Sequence, residues 1–498
     1  MQQKPKPPAQ SGAQQRDDDT SSENQHLISK IVGYGMSRTA ADGLLAGRGL
    51  LLAGILGPEL FGVWALFRIS LRYLAFAGLG LLRGLELEVS RSSSQSQGGP
   101  SEQRLWGKVA AGHTFLLYGV LTVLAAMAWA WPTERLANLV LLGIVMGLLL
   151  DRLWSYGITF LRASGGLRRF AVLELLHATL QVIACLLLAL HWGLPGAFAG
   201  FAIANLAGIA LLAGRAPLNP SFKPRQVYRL IQIGFPVSLM GILSFSLVTV
   251  DRLLVGALVG LSGLGVYAFA VSVSELGISF AAVIRTVILR DVYGQRKSSH
   301  EAKANPFVLD NALSGYATLG PPLAGLFALV LPLLIALFAG DYRSAAPVAQ
   351  LLLFAGLIQG LINLAVLGIV AEGGQSRLPL LSIAAICLNV FLTLSALSIG
   401  LGLEGVAVAA LLTRLIHAAA IIILLGREPT VSGLVIVIIR FLAPSIWCAV
   451  VVYTISHLLP AEDIRTLILQ LFLYAGAVSL LAPAILRALA PRRARIDS

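Results

Sequence analysis

The sequence predicts an all-α membrane protein that crosses the bilayer about 14 times. Hydrophobic residues make up 57% of the 498 positions and charged residues only 12%, a balance outside the range of soluble globular chains. Apolar runs of 18 or more residues recur along almost the whole chain, and each is long enough to span a bilayer as a helix. Short motifs also recur about 200 residues apart, which indicates an internal duplication.

The order of these elements predicts two lobes of six helices, followed by two helices that have no counterpart in the first lobe. The predicted segments are a disordered cytoplasmic tail (1–26), an N-terminal six-helix lobe (27–214), a cytoplasmic linker (215–229), a C-terminal six-helix lobe (230–426), two additional transmembrane helices (427–489) and a basic cytoplasmic tail (490–498). The first segment lacks an apolar core and is rich in Pro, Gln and Ser, so a signal peptide is not expected there.

The duplication rests on three motifs that occur in the same order in both halves. They pair residues 57–65 with 260–268, 156–158 with 367–369, and 193–197 with 402–406, at offsets of 203 to 211. Because each half contains an even number of helices, both halves enter the membrane in the same sense. This parallel repeat predicts a substrate site between the two lobes, near the middle of the membrane.

The basic residues predict the orientation of the chain in the membrane. The net charge is +13 and the chain contains 37 Lys and Arg. Three arginines fall in links predicted to lie outside, namely Arg135, Arg343 and Arg465. Eight fall within predicted spans: Arg48, Arg68, Arg72, Arg152, Arg252, Arg285, Arg414 and Arg440. All others fall in cytoplasmic segments, which places both termini in the cytoplasm and makes a nucleic-acid partner unnecessary.

Several kinds of chemistry are not expected. Cys185, Cys387 and Cys448 lie far apart in predicted helices, so neither a disulfide framework nor a metal site is expected. No glycine-rich phosphate loop of the Walker type is present, so neither ATP hydrolysis nor a cofactor is predicted. The predicted outer links have about ten residues or fewer, which leaves little room for a catalytic platform. The sequence therefore predicts a transporter and not an enzyme.

Charged side chains within the spans are the candidate functional residues, because an ionisable group inside a bilayer is expensive unless it faces water or a partner. The substrate-binding candidates are Arg48, Arg68, Arg72, Arg152, Arg252 and Arg285, and the ion-coupling candidates are Asp151, Glu174, Asp251 and Glu275. Arginine binds phosphate well through its planar fork of donors, so an amphiphile with a phosphate or pyrophosphate head is favoured over a cationic drug. For Arg68, Arg285 and Arg440, snorkelling to the lipid headgroups is the competing interpretation.

Helical spacing places some of these side chains together. Arg68 and Arg72 share one face, being four residues apart, and Glu174 lies on one stripe with His177 and Gln181. The neighbours Asp151 and Arg152 leave their helix about 100° apart, as do Asp251 and Arg252. Helical spacing alone therefore does not show whether either adjacent pair neutralises itself.

The segment GFPVSLMGILSFSLVTVDRLLVGALVGLSGLGVYAFAVSVSEL, from Gly234 to Leu276, resembles the second-half signature of polysaccharide-biosynthesis flippases of the O-antigen type. In the first half, RGLLLAGILGPELFGVWAL and the residues Gly78-Leu79-Gly80 are similar to the corresponding elements of that family. The likeness covers about residues 30 to 426. The family belongs to the multidrug, oligosaccharidyl-lipid and polysaccharide exporter superfamily.

The resemblance implies a two-lobed bundle in a bacterial inner membrane that moves an undecaprenyl-pyrophosphate-linked oligosaccharide to the outer leaflet by alternating access. It implies Arg48, Asp251 and Arg252 as cavity residues, membrane lipids as surroundings, and glycosyltransferases, a polymerase and a chain-length regulator as pathway partners. The last two helices depart from the family's 12 spans, although lipid II flippases of the same superfamily have 14. Two alternatives stay open, a cation-coupled multidrug exporter and a membrane glycopolymer polymerase or ligase.

Overall fold

The computed structural model describes residues 11–94, 100–131, 134–275, 306–371, 374–426, 435, 438–460 and 463–483. Within them all regular secondary structure is helical, which confirms the predicted all-α fold. The helices are α1 (Ser11–Ala75), α2 (Leu81–Ser94), α3 (Pro100–Ala130), α4 (Arg135–Ala163), α5 (Leu167–Leu212), α6 (Pro224–Leu247), α7 (Val250–Leu258), α8 (Leu261–Glu275), α9 (Pro306–Phe338), α10 (Ala346–Ala371), α11 (Leu378–Ser398), α12 (Gly402–Gly426), α13 (Ala443–Leu458) and α14 (Ile464–Val478).

Eleven helical segments of this part of the chain are long and apolar enough to cross a membrane. Two of them are 39 and 45 residues long, about twice the length that a bilayer requires, and each is broken by a glycine with positive φ, Gly57 in α1 and Gly193 in α5. Counting these two helices twice and adding the shorter apolar helix α8 gives 14 crossings. The chain is a multi-pass membrane protein, and the described residues contain as many crossings as the sequence predicts.

The N-terminal segment differs from its prediction. Helix α1 begins at Ser11, so residues 11–26 continue the first membrane helix, whereas their composition predicts a disordered tail. Between Ala13 and Val32 the sequence contains neither Gly nor Pro, and the membrane-spanning part of α1 supplies a helix from which these turns can propagate.

The turns of both halves contain glycines with positive φ at equivalent positions of the repeat. Gly57 and its repeat partner Gly260 have φ angles of 71° and 98°, and Gly193 and its partner Gly402 both have φ of 60°. These values lie in the left-handed region, where only glycine is free of strain. The glycines that recur in the sequence therefore recur as the turns that end one crossing and begin the next.

The crossings have two distinct ends. We call the end that carries the turns at Gly57, Gly193, Gly260 and Gly402 the short-link end, and the opposite end the basic end. The basic end includes α2, an amphipathic helix outside the spans that packs on α6, α4 and α3. The distribution of Lys and Arg predicts that the basic end faces the cytoplasm.

The two halves meet most closely near the short-link end. A Cβ atom at Gly62 would collide with the carbonyl oxygen of Leu261, and one at Gly265 would collide with that of Pro58. Two helices that follow equivalent turns thus pack backbone against backbone, which glycine alone permits. This contact closes the space between the halves at the short-link end.

Candidate functional site

A cavity of about 590 Å³ lies between the two halves of the chain. Its walls are formed by α1, α4 and α5 of the first half and by α6, α7, α8 and the break at Val248 and Thr249 in the second half. The charged and amide side chains that line it, together with one histidine, are Asp42, Arg48, Arg68, Arg72, Asp151, Arg152, Glu174, His177, Gln181, Arg252 and Glu275. The cavity is therefore a hydrophilic chamber enclosed by apolar helices.

Most of the predicted site residues meet in this cavity. Five of the six candidate arginines line it, as do the candidate acids Asp151, Glu174 and Glu275. The sixth arginine, Arg285, lies outside the described residues. Asp251 does not line the cavity, because its side chain is completely buried behind the wall.

Three of the arginines lie at a similar depth. Counting 1.5 Å per residue from the nearest glycine turn, Arg48, Arg68 and Arg252 lie about 12 to 17 Å from the short-link end. The hydrocarbon core of a bilayer is about 30 Å thick, so the Cα atoms of these three arginines lie near its middle. The remaining charged residues of the cavity lie nearer the basic end, the end toward which the cavity extends.

Two neighbouring side chains position the guanidinium group of Arg48, and its Nε–H donor is left without a partner among the described residues. Its side chain is only 3% exposed, donates a hydrogen bond to Oε1 of Gln181 on α5, and lies 5.3 Å from the centre of the Trp64 ring. The Nε group has no hydrogen-bond partner among the described residues. A buried guanidinium with an unused N–H is well placed to bind an anion that enters the cavity.

Arg68 and Arg72 lie on one face of α1, as their spacing predicts, and each lies over an aromatic ring. The Arg68 guanidinium is 5.4 Å from the Phe201 ring centre, and that of Arg72 is 5.5 Å from the ring centre of Phe245. Such contacts stabilise a cation by roughly 0.5 to 2 kcal/mol, depending on exposure, and leave its edge donors available. Within the described part of the chain Arg68 makes no ion pair.

The adjacent residues Asp151 and Arg152 bond to each other, a contact that helical spacing leaves open. The Nε group of Arg152 donates to Oδ2 of Asp151 at 2.9 Å, and a second donor of the same guanidinium contacts that oxygen too. The 100° separation on the helix is overcome because the arginine side chain is long and flexible enough to fold back. This pair neutralises itself on the cavity wall.

In the second adjacent pair, Asp251 and Arg252, the two side chains do not bond to each other. Asp251 accepts one hydrogen bond from the Tyr267 hydroxyl and one from the backbone N–H of Arg252, both at 2.8 Å. It lies in the first turn of α7, just after the break at Val248 and Thr249, where the helix dipole stabilises a carboxylate. The Arg252 side chain points into the cavity, and its Nε group has no partner among the described residues.

The cavity also contains Asp42, which the sequence analysis did not identify, and His177, which it did. Asp42 lines it together with Ala46 and Gly49, a spacing of three to four residues that marks one face of α1. His177 is stacked on Trp154, with ring centres 4.1 Å apart. Behind the wall, Arg414 of α12 is 3% exposed, and its Nε and Nη1 groups lack partners in the described residues.

The described residues contain no group of three or more His, Cys, Asp or Glu side chains that could hold a metal ion. The central cavity instead contains the guanidinium groups of five arginines. Arg48, Arg68 and Arg252 make no ion pair with any described carboxylate, although four carboxylates share the cavity with the five arginines. The arrangement is suited to binding an anionic group within the membrane.

This architecture matches known transporter structures. The lipid II flippase MurJ in an inward closed conformation aligns with a TM-score of 0.67 over 92% of this chain and 99% of that chain, at 14% sequence identity. An inward-facing multidrug resistance MATE family transporter of the MOP superfamily aligns with a TM-score of 0.62 over 82% of this chain and 98% of that chain, also at 14% identity. The chain has the fold of MATE and MurJ transporters.

Sequence comparison gives a weaker match. The chain is 24% identical over 336 residues to the succinoglycan biosynthesis transport protein ExoT of Rhizobium meliloti (strain 1021), and the match covers 66% of each chain, just under two thirds of that relative's length. No family model matches the chain. The fold thus agrees with the superfamily that the sequence motifs indicate, whereas the O-antigen-type flippase family stays a prediction.

Proposed function

We propose that this protein is a flippase that moves an undecaprenyl-pyrophosphate-linked oligosaccharide from the inner to the outer leaflet by alternating access. The observation that carries the proposal is the set of three arginines, Arg48, Arg68 and Arg252, which line one cavity at mid-membrane depth without forming ion pairs with described residues. A charge left unpaired inside a membrane protein is expensive, and it is retained where it serves a substrate.

The guanidinium groups of these three arginines favour a ligand that carries phosphate. A pyrophosphate offers several oxygen acceptors to planar guanidinium forks, and each charge-assisted hydrogen bond is about twice as strong as a neutral one. The aromatic rings under Arg48 and Arg68 orient the guanidinium planes without using their edge donors. The cavity contains five arginines and four carboxylates, whereas a cationic drug calls for a pocket dominated by acids, so the multidrug alternative is disfavoured.

The two ends of the cavity support the proposed direction of movement. The backbone contact at Gly62 and Gly265 separates the cavity from the short-link end, and the cavity extends toward the basic end. With the basic end in the cytoplasm, the cavity extends toward the inner leaflet, from which it would accept a lipid headgroup. Rocking of the two halves would then open the contact at Gly62 and close the basic end.

The proposal is tested by replacing Arg252 in cells that make the polysaccharide. Arg252→Ala removes one charge-assisted contact, so we expect surface polysaccharide to fall by about tenfold to a hundredfold while the lipid-linked intermediate accumulates in the inner leaflet. Arg252→Lys, which keeps the charge but loses the fork, should restore part of the display.

The matched control is Arg104→Ala, which removes an exposed arginine of α3 that does not line the cavity. This variant should display polysaccharide normally. Membrane insertion of each variant is checked by immunoblotting of isolated membranes. Normal display by a correctly inserted Arg252→Ala protein would contradict the proposed function.

A further inference from the structure

A second cavity lies at the short-link end and is lined by none of the arginines of the central cavity. Its volume is about 690 Å³, and it shares no lining residue with the central cavity. The walls come from α9, α10 and α12 of the second half and from the two additional helices, α13 and α14. Arg343 and Pro460, which lie in links between crossings, place the cavity at the short-link end.

One wall of this cavity contains a buried polar side chain, that of Gln470. Gln470 of α14 is 1% exposed, and its Nε2 group donates to the backbone carbonyl of Leu459. Gln470 is one of the residues that line the cavity, and its buried Oε1 atom has no donor among the described residues. A buried amide oxygen without a partner costs free energy, and a ligand hydroxyl group would satisfy it.

Other polar groups of this wall are held in fixed positions. Gln350 of α10 donates through Nε2 to the carbonyl oxygen of Ala328 and to the hydroxyl of Ser456, both at 2.9 Å. The rings of Tyr453 and His457 on α13 are nearly parallel, with an interplanar angle of 7° and centres 5.9 Å apart. Fixed amides and aromatic rings are typical of a preorganised ligand site.

The balance of charge separates this cavity from the central one. Its wall carries one arginine, Arg343, and one carboxylate, Glu404, so it has no excess of positive charge to select a phosphate. The amides, hydroxyls and the carboxylate offer both donors and acceptors, which matches the hydroxyl groups of a sugar. The flat aromatic faces and the prolines Pro332 and Pro347 provide apolar surface for the C–H faces of a sugar ring.

We propose that this cavity is a saccharide-binding site that receives the glycan part of the transported lipid on the outer side of the membrane. The inference rests on the proposed function, because it takes the cargo to be a glycolipid and the short-link end to face outward. It assigns separate tasks to two parts of the molecule. The central arginines bind the phosphate groups, and the cavity formed with α13 and α14 binds the sugars.

The test uses photo-crosslinking in cells fed with radiolabelled monosaccharide. Tyr453→p-benzoylphenylalanine places the crosslinker in the cavity, and Phe472→p-benzoylphenylalanine is the matched control, since Phe472 is an aromatic residue of α14 that is 76% exposed and does not line the cavity. After irradiation the protein is purified under denaturing conditions and treated with mild acid, which cleaves the bond between sugar and pyrophosphate. Label that survives is therefore attached through the sugar.

We expect acid-resistant label at position 453 and only background label at position 472. Adding Glu404→Gln, a change at an exposed position, should lower the label at position 453 by about tenfold through loss of a charge-assisted hydrogen bond. Equal label at the two positions, or label at position 453 that acid releases, would overturn the proposal. If the first variant fails to insert, His457→p-benzoylphenylalanine tests the same wall.

The outcomes also separate this inference from the proposed function. Loss of display in Arg252→Ala with no sugar crosslink at Tyr453 would leave the flippase standing and remove the saccharide site. A sugar crosslink at Tyr453 with normal display in Arg252→Ala would keep the saccharide site and contradict the flippase.

Discussion

Two adjacent pairs with the same sequence, Asp151-Arg152 and Asp251-Arg252, make different contacts with the central cavity. In the first pair the arginine folds back on its own aspartate, and the pair lies on the wall as a neutral unit. In the second pair Tyr267 and a backbone N–H bind the aspartate, and the arginine is left to face the cavity. The difference shows that a third residue decides whether an intramembrane arginine is available to a ligand.

The largest expected difference between the two pairs concerns stability. Asp251→Ala leaves the Tyr267 hydroxyl without its acceptor in a completely buried position, so we expect the free energy of unfolding to fall by about 3 kcal/mol. Asp151→Ala breaks a partly exposed pair and should lower it by about 1 kcal/mol. Thermal unfolding of the detergent-purified variants measures both, and equal losses would show that the two aspartates have equivalent surroundings.

The second difference concerns transport by charge-neutral double variants. Asp251→Asn with Arg252→Gln removes a guanidinium that faces the cavity, so surface display should fall by about tenfold or more. Asp151→Asn with Arg152→Gln removes a pair that is already neutral, so display should stay within about twofold of the wild type. If both double variants lose display to the same extent, the distinction between available and neutralised arginines fails.

The smallest effect is expected from releasing Arg152. Asp151→Asn removes the charge that holds this guanidinium, which then becomes available to the ligand. We expect the affinity of the purified protein for a pyrophosphate amphiphile to rise by about two- to fivefold, the magnitude of one partly exposed ion pair. Unchanged or weaker binding would mean that Arg152 does not reach the ligand even when it is free.

The sequence predicts the fold because the signals that specify it are local. Each crossing requires only a run of apolar residues, and the turns at Gly57 and Gly260 require only glycine, so both can be read without knowing the partner helices. The faces formed by Arg68 with Arg72, and by Glu174 with His177, also follow from helical spacing alone. All four side chains line the central cavity.

The contacts that decide whether an arginine is available to a ligand are not local in the sequence. They therefore could not be predicted from the sequence alone. The acceptor for the Tyr267 hydroxyl lies 16 residues earlier in the chain, across the turn at Gly260, and it is placed by the break in the helix at Val248 and Thr249. Helical spacing treats both adjacent pairs alike and does not show that Arg152 folds back on Asp151. The second cavity was likewise not predicted, since its wall joins helices whose packing no repeated motif records.

The most direct test of the central claim is the binding of undecaprenyl pyrophosphate, compared with uncharged undecaprenol, to the purified full-length protein. The wild type should bind the pyrophosphate at least about tenfold more tightly than the alcohol, and Arg252→Ala should lose most of that difference while binding the alcohol unchanged. Equal affinity of the wild type for both lipids, or an unaltered preference in Arg252→Ala, would contradict the assignment of the unpaired arginines to the phosphate groups.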